Sequence, residues 1–90
     1  MDLRAFAESP SPPEGSAALR ALWHEAHGDW KRAHALVQDD PGRDAARVHA
    51  FLHRKEGDLD NARYWYARTG HSVFDGSLDE EWAALVTEFA

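Results

Sequence analysis

The sequence predicts an all-α protein, two antiparallel helical hairpins followed by a C-terminal capping helix. Three observations predict it. First, alanine is abundant and strand formers are few: the β-branched residues are Val37, Val48, Val73, Val86, Thr69 and Thr87, with no isoleucine. Alanine heads the helix scale, whereas β-branched residues favour strands. Second, Pro10, Pro12, Pro13, Gly28, Pro41, Gly42, Gly57, Gly70 and Gly76 divide the chain into helix-length pieces. Third, residues 11–37 fall on residues 40–66 at an offset of 29 without a gap.

Each element has its own signals. Residues 2–8 form a short first helix within an N-terminal segment, 1–10. Ser11-Pro12-Pro13-Glu14 reads as a cap, a proline at the first helical position and a capping-box carboxylate. The helix it opens runs to about His27 and stops at Gly28, suited to a left-handed C-terminal cap. Asp29 caps the next, from Trp30 to about Gln38. Asp40-Pro41 repeats the start signal for a helix to Glu56, stopped by Gly57. Asp58 caps Leu59 to about Arg68, ended by Gly70. The loop HSVFDG leads to Ser77-Leu78-Asp79-Glu80, another capping box, and a last helix to about Phe89. Hairpin 1 is thus 11–38, hairpin 2 is 40–69 and the capping helix is 77–90, in one domain of 90 residues.

The offset of 29 matches more than apolar positions. Ser11 meets Asp40, Pro12 meets Pro41, Ala21 meets Ala50, His24 meets His53, Gly28 meets Gly57, Asp29 meets Asp58 and Ala33 meets Ala62. Trp30, Ala33, Leu36 and Val37 fall on Leu59, Ala62, Trp65 and Tyr66, one helical face. Gly28-Asp29-Trp30-x-x-Ala33 and Gly57-Asp58-Leu59-x-x-Ala62 with Trp65-Tyr66 resemble the turn and second helix of tetratricopeptide repeats. The likeness covers about 55 of the 90 residues, with a period of 29 in place of about 34. It implies stacked hairpins and a protein or peptide partner held in a groove. Two units fall below the roughly three that arrays need. The last helix, with Leu78, Trp82, Leu85, Val86 and Phe89 on one side, therefore caps the stack, or the chain forms a homodimer.

Composition narrows the function classes. The formal net charge is −6, and Asp75, Asp79, Glu80, Glu81 and Glu88 carry five negative charges with no base among them. No basic stripe exists, so neither nucleic acid nor an anionic membrane is an expected partner. Cysteine is absent, which removes disulfides, thiolate metal sites and cysteine nucleophiles. No apolar run reaches membrane-spanning length and the first residues lack a secretory pattern, so a cytoplasmic location is expected.

Two residue groups could carry function. Asn61, Tyr64 and Arg68 lie at i, i+3, i+7, and with Arg54 they make a polar recognition face. Their counterparts in the first unit, Arg32, Ala35 and Asp39, do not share its chemistry. This face is the leading candidate for partner binding, and an ordinary solvated face is the alternative. The second group is histidine. His49 and His53 are i, i+4, a spacing that lets two imidazoles share a divalent transition metal, with His71, Asp58 or Asp75 as third ligand. His49, His53 and His71 are the metal candidates; the alternative is no cofactor, the histidines lying beside the apolar face near a helix C-terminus. His24 and His53, which repeat, read as serving the repeat. His24-Glu25-Ala26-His27 lacks metalloprotease spacing. No catalytic residue emerges: Ser72, Ser77, His71 and Asp75 cluster in one loop, but Ser77 is explained as a cap and a triad draws on distant segments.

Overall fold

The computed structural model describes residues 2–90, which are all-helical, with six helices and no strand among the described residues. They are α1 Leu3–Glu8, α2 Ala17–Ala26, α3 Trp30–Val37, α4 Arg43–Glu56, α5 Leu59–Thr69 and α6 Leu78–Phe89. None is long and apolar enough to cross a membrane.

The turns follow from local chemistry. Asp29 accepts from the Arg32 N–H at 3.1 Å and Asp58 from the Asn61 N–H at 3.2 Å, each satisfying a free donor of the helix it opens. The preceding glycines, Gly28 and Gly57, have φ of 79° and 88°, a region other residues rarely adopt. The Asp29 and Asp58 N–H groups bond the carbonyls of His24 and His53, both at 2.9 Å. At the start of α6, Ser77 and Glu80 form the reciprocal capping box, which stabilises the Glu80 carboxylate and lowers its pKa.

Two expected starts move. Ser11 does not cap α2; Ser16 does, accepting from the Leu19 N–H at 3.2 Å. Pro13 is the cause, since a proline keeps the residue before it out of helical backbone. α4 starts at Arg43 with Gly42 at its cap, because Asp40 turns its carboxylate onto the Gly42 N–H at 2.8 Å. It closes the loop instead of capping the helix.

Packing centres on α4. It lies against α5 most extensively, and also against α3, α2 and α6, while α2 packs chiefly on α3. With neighbours on so many sides α4 has little solvent face, and every residue from Val48 to His53 is buried. The larger core joins Phe6, Leu19, Leu22, Trp23, Val37, Val48, Phe51, Leu52, Leu85 and Val86. A smaller one, Ala50, Ala62 and Tyr66, takes the half-buried Trp65 and Phe74. Phe74 so anchors the loop before α6. Indole N–H groups bind elements together: Trp23 to the Ser9 carbonyl at 3.2 Å, Trp30 to Leu52 at 2.9 Å and Trp82 to Leu22 at 3.0 Å. Glu81 on α6 is 3% exposed and ion-paired with Arg54 on α4 at 2.8 Å. It also accepts from the Tyr66 hydroxyl on α5 at 2.5 Å. Burial and this carboxylate hold the Tyr66 hydroxyl far above its usual pKa.

Candidate functional site

α3 and α4 face each other with histidines on the facing surfaces. His34 lies one turn beyond Trp30 on the face that includes the buried Ala33 and Val37, so the stripe that packs α3 also turns His34 inward. His49 and His53 lie one turn apart on α4. The three rings meet: His34 and His49 have centroids 4.7 Å apart, His34 and His53 5.3 Å, His49 and His53 4.7 Å. One nitrogen from each lies within 4.8 Å of the others, and the Nε2 atoms of His34 and His49 are 3.1 Å apart. Aromatic walls fix the rings. Trp30 stacks on His34 at 4.9 Å and 9°, and Trp65 of α5 stacks on His49 at 4.0 Å and 21°.

The electrostatics disfavour the charged form of His34 and of His49. Burial pushes the His49 pKa down to about 4, and neighbouring His53 and His34 push the same way. His34 is also lowered, by burial and then by His53, with Glu56 opposing. His53 Nδ1 lies 2.5 Å from a Glu56 carboxylate oxygen. His49 Nδ1 is buried without a hydrogen-bond partner. Such a group costs on the order of 1–3 kcal/mol, so stability alone does not account for an imidazole there.

Of the sequence-predicted metal ligands, the structure brings His49 and His53 together and leaves His71 outside their group. His71 is exposed, after α5, with Nδ1 3.2 Å from the Thr69 carbonyl. His34 takes the third place. Sequence reasoning missed it, because α3 holds no second histidine one turn away to mark it. His49 and His53 are not surface histidines either, because α4 is enclosed. Of the repeated pair, His53 is buried against Glu56, whereas His24 lies half-buried edge-on to Trp23. Their shared feature is the backbone carbonyl that each gives to the turn.

The four expected partner-binding residues divide. Arg54 is turned inward, on Glu81 and the Gly76 carbonyl. Asn61 donates side-chain and backbone N–H groups to Asp58, backing the helix cap. Tyr64 and Arg68 remain outside. Tyr64 is 54% exposed and its hydroxyl accepts from Arg68 at 3.0 Å. The Arg68 guanidinium also lies 5.2 Å from the Trp65 ring centroid and 5.7 Å from that of Tyr64. Beside this ledge, an open cleft of about 580 Å³ runs between Trp65, Arg68 and the loop Gln38–Arg43. Asp39 and Asp40 line its other wall.

No protein-family model matches the chain, and neither the curated proteins nor the solved structures give a match.

Proposed function

We propose that the protein is a small interaction module of two tetratricopeptide-like hairpins, α2–α3 and α4–α5, closed by α6. It takes an extended segment of a partner protein on the ledge of Tyr64, Trp65 and Arg68. The equivalent turns support the hairpin pairing: at a separation of 29, Gly28-Asp29 and Gly57-Asp58 make the same caps and the same backbone bonds.

One observation carries the binding reading. Arg68 is held in place by two aromatic rings and a hydroxyl, yet no carboxylate lies within 4.0 Å of it among the described residues. An arginine stacked on aromatics has given up little freedom that binding would still cost, and its fork suits a carboxylate. Tyrosine and arginine are the residues most often found to dominate interfaces. The cleft offers Arg68 on one side and Asp39 with Arg43 on the other, so it suits a segment with both acidic and donor groups.

The test is selection of bound segments from a random peptide library, with each selected peptide then titrated against variants. Tyr64→Ala and Arg68→Ala should each weaken selected peptides by about 2 kcal/mol, roughly thirtyfold. Both positions are exposed and their aromatic contacts run only to the half-buried Trp65 and to each other, so native circular dichroism is expected of both variants. Peptides bound equally by wild type and both variants would overturn the reading.

A further inference from the structure

We propose that His34, His49 and His53 form a binding site for one late first-row divalent metal ion, with Zn²⁺ the best match, and that Glu56 orients His53 from outside the coordination sphere. No residue of the peptide ledge contributes a donor to this site, and Trp65, which stacks on His49, is common to both.

The argument begins with donor type. Three imidazoles and no thiolate suit Zn²⁺, Cu²⁺, Ni²⁺ or Co²⁺ far better than Mg²⁺ or Ca²⁺, which take oxygen. The spacing fits. Two nitrogens about 2.0–2.1 Å from a tetrahedral zinc lie roughly 3.3 Å from each other. The Nε2 atoms of His34 and His49 are 3.1 Å apart. The third ring belongs to the same cluster, within 4.8 Å. Glu56 at His53 Nδ1 leaves Nε2 as that ring's free donor. A carboxylate behind a histidine ligand is the usual arrangement for fixing the tautomer and aiming the ring. Three nitrogens leave one tetrahedral position for water or a small ligand.

The surroundings favour an ion over a purely structural cluster. Trp30 and Trp65 hold the outer rings by stacking, so the donors are aimed before any ion arrives. A hydrogen bond between His34 and His49 would engage the same two Nε2 atoms that an ion would take. A second group, His53, Glu56 and Asp58, also falls within 4.8 Å. Two of its members are exposed carboxylates, and it does not use His34.

The experiment uses the untagged full chain, stripped with EDTA and then freed of it. Zn²⁺ is titrated by calorimetry and Co²⁺ by visible absorption. Wild type should bind one ion per chain, and Co²⁺ should give the strong visible bands of four-coordinate nitrogen ligation. His34→Phe keeps a ring stacked on Trp30 and should abolish both signals while circular dichroism stays native. His53→Gln should do the same. Glu56→Gln should weaken Zn²⁺ about tenfold to a hundredfold. No saturable binding by wild type would overturn the proposal. So would one-to-one binding that survives in His34→Phe, which would place the ion on His53, Glu56 and Asp58.

Discussion

At the scale of single residues, the burial of His49 makes the protein sensitive to acid. The unfolded chain protonates this imidazole near pH 6.5, but the folded chain does so only near pH 4. Between those values the unfolded state binds more protons, so the contribution of His49 to stability falls as pH drops from 6.5 to 4 and is constant above that window. The gap corresponds to about 3 kcal/mol. Urea unfolding at pH 7 and pH 4.5 should show a loss approaching that size, and His49→Phe should remove much of it. An equal loss in wild type and variant would show that other groups set the acid response. The sequence made two of the three clustered histidines legible, because an i, i+4 pair is visible within one helix. It hid His34 because the meeting of α3 with α4 depends on how two helices pack, which no spacing along one helix encodes. Arg54 was misplaced for a similar reason. Its partner Glu81 lies on another helix, 27 residues away.

At the scale of elements, the turns were the most legible part. Gly28-Asp29, Gly57-Asp58 and Ser77-x-x-Glu80 act where their chemistry says, because a cap is a local bond between near neighbours. The starts of α2 and α4 were less so, since Pro13 and the Asp40 carboxylate compete locally with the expected caps. The bridge from α4 through Glu81 to α5 was not visible at all. It joins three helices through one buried carboxylate, so its loss belongs to the elements rather than to one side chain. Arg54→Ala leaves Glu81 buried and unpaired and should cost about 3 kcal/mol. Arg68→Ala, on the exposed ledge, should stay within about 0.5 kcal/mol. Equal destabilisation by the two substitutions in urea titrations would remove the bridge from the account.

At the scale of the whole molecule, a chain of this length buries only roughly 60–65% of its unfolded surface, and its total stability is on the order of 5–10 kcal/mol. α6 therefore matters out of proportion to its twelve residues. It packs on α1, α2 and α4, and Trp82 both meets Phe6 at 5.8 Å and donates to Leu22. Trp82→Ala should cost about 3–5 kcal/mol, a large part of the total. Trp82→Phe, which keeps a ring but loses the indole bond, should cost about 1 kcal/mol. Because α6 packs into the larger core and Glu81 ties it to Tyr66 of the smaller one, wild type should unfold in one transition, with far-ultraviolet and near-ultraviolet dichroism changing together. Separate transitions for the two probes would mean that the hairpins melt apart.

The two stacked pairs, Trp30 on His34 and Trp65 on His49, have an optical consequence. A protonated or metal-bound imidazole alters the emission of an excited indole lying against it far more than a neutral ring does. Two of the four tryptophans touch the histidine cluster, and Trp82 lies in the core on α6. The protein thus carries its own fluorescent gauge of its imidazoles, with Trp30 and Trp65 on the cluster and Trp23 stacked on His27 at 3.9 Å, and needs no attached dye.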